Sequence, residues 1–124
     1  QKGVVKMTEC FKAYRNVQHF GFKRNPLGKQ YTAKFDLVEL DDKFEIWSFG
    51  VVERYRRKGY ATQMLREFLS QFKSDKPLSL YVVKTNEPAI HLYEKVGFTI
   101  VGDCEKYSTF AYEMRFGVRK EQEK

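Results

Sequence analysis

The stretch Val51-Val52-Glu53-Arg54-Tyr55-Arg56-Arg57-Lys58-Gly59-Tyr60-Ala61 joins two kinds of chain. Before it, Phe44 to Val52 is dense in aromatic and β-branched residues; after it, Leu65, Phe68, Leu69 and Phe72 recur at helical spacing. A basic, glycine-containing loop therefore leads from a strand into a helix N-terminus. The first backbone N–H groups of a helix have no intrahelical acceptor and lie at the positive end of the macrodipole, so such a loop suits phosphate. Gly59 lets the backbone approach closely, Ala61 keeps the first turn small, and Arg56, Arg57 and Lys58 add positive charge.

The rest of the chain arranges itself around that loop. Val4, Val5 and Met7 suggest the start of an edge strand, and Thr8 the cap of a short helix running to Tyr14. Val17 to Lys23 reads as a strand, and Asn25-Pro26-Leu27-Gly28 carries β-turn chemistry. Tyr31 to Leu40 alternates, with Tyr31, Ala33, Phe35 and Leu37 on one face, and Asp41-Asp42-Lys43 closes a hairpin into Phe44 to Val52. Three consecutive strands form an antiparallel meander. After the loop, Ala61, Leu65, Phe68, Leu69 and Phe72 mark the buried stripe of a helix, and Leu78 to Val83 is a nearly continuous apolar run, the pattern of a buried central strand. Pro88 suits the first turn of a second helix, with Ala89, Leu92, Tyr93 and Val96 on its packed face and Gly97 as its stop. Phe98 to Gly102 and Tyr107 to Phe116 read as two last strands paired around an Asp103 to Lys106 turn. The order β-β-β-α-β-α-β-β predicts an α/β fold, a central mixed sheet flanked by helices, in one domain of 124 residues.

Composition narrows the classes of function. No run of eighteen apolar residues predicts a membrane span, and no charged-then-apolar leader opens the chain. Cys10 and Cys104 are too few and too irregularly placed for a disulfide framework or a zinc site, which points to a reducing, cytoplasmic setting, no metal, and a packing role for each. The net charge of +7 is compatible with nucleic acid, an anionic membrane or a polyphosphate ligand. The basic residues are dispersed except at Arg54 to Lys58 and in the mixed-charge tail Arg119 to Lys124. The first cluster is therefore assigned to ligand phosphates, the tail to a solvated terminus, and nucleic acid is set aside.

Arg56-x-x-Gly59-x-Ala61 resembles the acyl-CoA-binding signature of the GNAT superfamily of acetyltransferases. Further on, Asn86-Glu87-Pro88-Ala89-Ile90-His91-Leu92-Tyr93-Glu94-Lys95-Val96-Gly97-Phe98 resembles the family's second signature, so two motifs stand in the family's order. The resemblance covers roughly Tyr31 to Phe116. It implies an acyl-CoA N-acyltransferase fold whose two central parallel strands splay apart, with pantetheine in the gap and acetyl-CoA as co-substrate. The amides of Arg57, Lys58, Gly59, Tyr60 and Ala61 would cradle the pyrophosphate. Those of Val51 and Val52 would pair with pantetheine, and the Val52 amide would polarise the thioester carbonyl. Only a short segment precedes the first clear strand, so the N-terminal lobe is short or truncated. That predicts an open groove for a protein lysine or N-terminus, ahead of a small amine or polyamine. A catalytically silent acyl-CoA-binding module is the rival from another class.

Three side chains carry the chemistry of this reading. Tyr93 stands where many family members place the acid that protonates the CoA thiolate, a role that suits a phenol; it also falls on the apolar face of its helix and could simply pack. Asn86 at the helix start can cap backbone, and the resemblance adds a hydrogen bond to the pantetheine arm. Glu45, alternating with Trp47, Phe49 and Val51, is expected to share their face, to have a raised pKa among aromatics and to act as general base. Protein-lysine acetyltransferases of the histone-acetylating type carry a glutamate at a similar spacing. The other reading of Glu45 is an edge or solvent-facing residue, and Glu53 is a lesser candidate. His19 and His91 show no partner pattern and are expected at the surface.

Overall fold

A computed structural model of the chain describes residues 6–25, 28 and 30–118. Nine elements follow in order: β1 (Thr8–Tyr14), β2 (Val17–Phe22), β3 (Ala33–Glu39), β4 (Phe44–Val51), α1 (Tyr60–Gln71), β5 (Leu78–Val83), α2 (Glu87–Lys95), β6 (Phe98–Asp103) and β7 (Ala111–Phe116), with a short 3-10 turn at Glu53–Tyr55. They build one mixed sheet in the order β1-β2-β3-β4-β5-β7-β6, parallel between β4 and β5 and antiparallel elsewhere. No helix among the described residues is long and apolar enough to cross a membrane.

Directly opposed residues in a sheet share a face, so the register shows where the core lies. The row Leu37, Ile46, Leu80, Met114, Ile100 crosses five strands on one face, and both helices pack there through Met64, Leu65, Phe68 and Leu69 of α1 and Ile90 and Tyr93 of α2. Phe68 sets its ring edge against Phe20 and Phe35, each 5.0 Å away, which locks α1 over the meander. The opposite face carries the rows His19, Asp36, Trp47 and Val38, Glu45, Ser79, Arg115, with no helix over it among the described residues.

Three expectations need correction. Thr8 to Tyr14 is a strand, not a helix: Tyr14 pairs with Val17 across a turn in which Arg15 takes a φ of 55°. Thr8 also spends its capping hydroxyl on the Met64 carbonyl (3.2 Å), while Glu67 accepts from the Met7 and Thr8 amides. The meander therefore has four strands. Second, Tyr107 to Phe110 is a loop before β7, held by the Cys104 amide donating to the Ala111 carbonyl at 2.7 Å. Third, Cys10 is exposed on β1, whereas Cys104 is buried as expected. Val4, Val5, the Pro26-Leu27 centre of the turn and the Arg119 to Lys124 tail lie outside the described residues.

The feature that makes the site is in β4. Lys34 opposes Gly50 and Asp36 opposes Trp47, so Phe35 alone faces Ser48 and Phe49. β4 holds one extra residue, and Ser48 takes it up with a φ of 56°. The bulge reverses the alternation beyond it. Glu45 and Trp47 stay on the uncovered face, while Phe49 and Val51 turn to the helix side, where Phe49 meets Tyr93 and Val51 opposes Ala33. Glu45 therefore does not share a face with Phe49 and Val51. Bent at the bulge, β4 leaves β5: the parallel pairing covers only Phe44 to Ile46 with Leu78 to Leu80.

Candidate active site

Where β4 and β5 separate, a cleft of about 540 Å³ opens, lined from the helix side by Phe49, Asn86 and Tyr93 and from the other side by Trp47, Tyr81 and Tyr107. It thus communicates with both faces of the sheet. Its edges carry backbone groups released by the missing pairing. The Val52 amide donates to the Thr32 carbonyl at 2.8 Å, so in an antiparallel ladder the neighbouring Val51 points its amide and carbonyl away from β3, toward the cleft. The Val52 amide is therefore engaged and does not face the cleft, a correction to the role expected of it; the Val51 amide does.

At one end of the cleft the loop into α1 has the character of an anion cradle. Arg57 and Gly59 both take left-handed conformations, φ 63° and 79°, and Gly59 is the N-cap of α1. The helix ladder begins with the Gln63 amide on the Gly59 carbonyl (3.0 Å), and the amides of Arg57 to Thr62 meet no acceptor among the described residues. A Cβ at Gly59 would meet nothing within 4 Å, so the loop presents open backbone to solvent. The charged side chains are less committed. Arg56 donates through Nε to the Val51 carbonyl (3.2 Å), and Arg57 and Lys58 are exposed. Tyr60 packs against Phe22 and Tyr55, so its amide rather than its ring belongs to the cradle. These groups fit a diphosphate.

Tyr93 and Asn86 stand on the helix side. The Tyr93 ring packs edge-on to Phe49 and Phe98, and burial pushes its phenol up to about 12. Tyr93 is a packed ring whose hydroxyl has no partner among the described residues, in a side chain that lines the cleft. Asn86 caps α2 through its side-chain oxygen, which accepts from the Ala89 amide at 3.3 Å.

Glu45 differs most from expectation. It is 0% exposed, and its carboxylate accepts from Trp47 Nε1 (2.8 Å) and the Tyr107 hydroxyl (2.9 Å) on Oε1, and from the Tyr81 hydroxyl (2.9 Å) and Lys43 Nζ (3.3 Å) on Oε2. Burial alone would push the carboxyl up, but these four donors outweigh it and hold it below the usual carboxylate range. The raised pKa expected from aromatic neighbours is overturned because those aromatics present N–H and O–H groups. Lys43 also pairs with Glu113 (3.2 Å), which accepts from Ser79 and Arg115. His19, expected at the surface without a partner pattern, stands with its Nδ1 2.6 Å from Asp36 Oδ1. Glu53 lies on the 3-10 turn and is exposed.

Lys43, Tyr81, Tyr107 and Glu113 are site residues that the sequence reading missed. One signal for them was present: Leu78-Ser79-Leu80-Tyr81-Val82 alternates, and its polar members mark a second, hydrogen-bonding face within a run read as uniformly apolar.

Residues 11–98 match the family described as Acetyltransferase (GNAT) family, well over half of the chain. The chain belongs to the GNAT family. An N-alpha-acetyltransferase of Saccharolobus solfataricus is 42% identical over 74 residues, which make up 57% of this chain and 44% of that protein. The match thus spans less than half the length of that relative. Among solved structures, Arabidopsis thaliana NAA60 in complex with a bisubstrate analogue aligns with a TM-score of 0.65 at 16% identity, over 86% of this chain and 78% of that one. A variant of the spermidine N-acetyltransferase SpeG of Vibrio cholerae aligns with a TM-score of 0.63 at 18% identity, over 82% of this chain and 65% of that one. Both likenesses are of fold. The GNAT fold, with its seven-stranded mixed sheet, is the one expected from the two motifs, and in this member the opening between β4 and β5 follows from the bulge at Ser48. Among the described residues no group of three or more His, Cys, Asp or Glu side chains is arranged to hold a metal ion.

Proposed function

We propose that this GNAT domain is an N-acetyltransferase that moves an acetyl group from acetyl-CoA to an amine of a protein, a lysine or an N-terminus, by direct attack within a ternary complex. The observation that carries the reading is the through-sheet cleft, with acceptor-free amides at one end, a buried phenol in its helix-side wall and an uncovered sheet face at its other mouth. Acetyl-CoA supplies the activated acetyl thioester. The amides of Arg57 to Ala61 would hold its pyrophosphate, with Arg57 and Lys58 adding charge, and the Val51 amide and the Asn86 side chain would line the pantetheine arm.

We assign Tyr93 as the acid for the departing thiolate: burial keeps its phenol protonated, and the same burial would make a thiolate formed beside it a stronger base, so that the proton can pass between them. A carboxylate held below the usual range is a weak base, so we assign Glu45 to holding the acceptor end of the cleft rather than to abstracting a proton.

A protein acceptor is favoured by the absence of any helix over the sheet face beside Trp47 and Tyr107 among the described residues, which leaves room for a chain. The buried Glu45 carboxylate gives a polyamine such as spermidine a specific claim as second reading. Intact-mass analysis of peptides with free N-termini, lysine-containing peptides with blocked N-termini, and spermidine, each incubated with protein and acetyl-CoA, tests both. A single acetyl added to peptide supports the first reading, transfer to spermidine alone the second, and no transfer to any amine overturns enzyme function.

A further inference from the structure

The bulge in β1 gathers side chains that strict alternation would separate. Cys10 opposes Phe20 and Lys12 opposes His19, so Phe11 is the extra residue. Its ring meets His19 and Tyr31 on the uncovered face, where the register also places Lys12 and Tyr14. Tyr31 lies over Gly21, where a Cβ would collide with its ring, and donates its hydroxyl to Glu9 at 2.6 Å. Phe11 stacks on that anchored ring with centroids 4.6 Å apart and is 41% exposed, so its outer surface is open to solvent. Tyr14 is 62% exposed, with the Arg15 guanidinium 5.0 Å from its ring. Aromatic surface is thus held in place on this part of the sheet before any ligand arrives, which lowers the ordering cost of stacking on it.

The charge left over on this part of the face is positive. Two acids of β1 to β3 share it, and both are engaged: Glu9 with Tyr31 and with Lys23 (3.4 Å), Asp36 with His19 (2.6 Å). Lys12, Arg15 and Lys34 are exposed and form no ion pair among the described residues. Lys34 opposes Gly21 and Gly50, neither of which has a side chain to cover it. Lys12 and Lys34 therefore flank the Phe11–Tyr31 pair from strands two spacings apart, about 10 Å. These cations lie far apart in the sequence and converge only through the register of the meander. A ligand for such a surface needs flat apolar faces to stack and repeated negative charge between them. Single-stranded nucleic acid has both. An acidic peptide has the charge without the flat faces, and a duplex keeps its bases stacked inside.

We propose that the uncovered face of β1 to β3 binds single-stranded nucleic acid, with a base stacked on Phe11 and the adjoining phosphates on Lys12 and Lys34. Stacking and phosphate contacts do not read the sugar, so RNA and DNA should bind alike. The surface is apart from the cleft between β4 and β5, and its binding is independent of acetyl transfer. Fluorescence anisotropy with labelled oligouridine and oligothymidine of about twelve nucleotides, at a series of salt concentrations, tests it. The logarithm of affinity should fall against the logarithm of salt with a slope of about −2, the value for three phosphates met by Lys12, Arg15 and Lys34. Phe11→Ala should weaken binding roughly tenfold, and Phe11→Tyr should retain it. Lys34→Gln should make the salt slope shallower by about 0.7. No binding, equal binding of a duplex of the same length, or unchanged affinity in a folded Phe11→Ala overturns the surface. Displacement of the oligonucleotide by coenzyme A would put it on the loop before α1, and displacement by polyglutamate would make the surface a site for acidic peptides. Either result overturns the proposal.

Discussion

The Tyr93 ring stands edge-on to Phe49, centroids 5.7 Å apart and planes at 78°, joining α2 to the bulged part of β4 across the helix-side mouth of the cleft. The ring packs and the hydroxyl bonds to nothing among the described residues, so the two can be separated by substitution. Tyr93→Phe should leave thermal stability unchanged, because no hydrogen bond is lost, and lower turnover by roughly 10²-fold, the low end for a missing general acid. Acetyl-CoA affinity should not change. Melting curves, calorimetry and steady-state rates on one preparation decide it, and full turnover in the variant would reduce Tyr93 to a core residue.

Gly59 separates ligand binding from folding in a similar way. Space for a side chain exists there, but the φ of 79° makes any L residue cost about 1–2 kcal/mol. Gly59→Ala should therefore destabilise by that amount and keep some acetyl-CoA binding. Gly59→Glu, at the same backbone cost, should abolish binding by placing negative charge among the amides of the cradle. In wild type, acetyl-CoA at a hundred times its dissociation constant should add about 2.7 kcal/mol of stability. Equal affinity of the two variants by calorimetry would remove the loop from the ligand site.

Asn86 has one job visible in the structure and one proposed. Asn86→Ala should cost about 1 kcal/mol through loss of the cap on Ala89. Asn86→Asp keeps an acceptor oxygen and so keeps the helix, but lacks the side-chain N–H donors. A fall in acetyl-CoA affinity for Asn86→Asp with the melting temperature retained would identify the pantetheine contact; unchanged affinity would leave a cap and nothing more.

Glu45 and Glu113 predict the acid limb of stability. Both carboxyls are held below their ordinary value of 4.5 in the folded chain, so they favour folding above 4.5, and that contribution is lost as pH falls through their folded values. Wild type should lose stability steeply below pH 4.5. Glu45→Gln, which leaves Tyr81, Tyr107 and part of the Lys43 charge facing a neutral amide, should be less stable by about 3 kcal/mol at pH 7 and lose less on acidification. Chemical denaturation at several pH values measures both, and parallel curves for the two proteins would mean that Glu45 is not ionised in the fold.

Local signals sufficed where one element carried both its pattern and its punctuation. Asn86, Pro88 and Gly97 bracket α2 within a few residues of its packed face, and Gly59, with its positive φ, caps the start of α1, so both helices and the position of the loop before α1 were legible. Strand β1 was not, because Thr8 is as good a cap as a strand end, and the groups that hold it as a strand end, the Met64 carbonyl and the Glu67 carboxylate, lie far along the chain. The bulge at Ser48 was hidden for another reason: the one mark of it, Gly50 within the strand, stands two residues away and does not say where the extra residue lies, and simple alternation carried Phe49 and Val51 onto the wrong face. The donors around Glu45 come from β4, β5 and the loop after β6, a convergence that spacing along one strand does not encode.

The bulge also bears on how this site tolerates change. β3 and β4 differ in length by one residue between the Lys34–Gly50 and Asp36–Trp47 pairs, and the cleft is that difference made visible. A substitution at Ser48 alters a surface of the opening. Deletion of Ser48 would instead bring β4 back into step with β3, leave Phe49 and Val51 on the helix side by simple alternation, and invite β4 to continue its ladder with β5 to the strand ends. The cleft of this domain is therefore a matter of counting before it is a matter of chemistry, and the shortest possible deletion would erase it while leaving both family motifs intact.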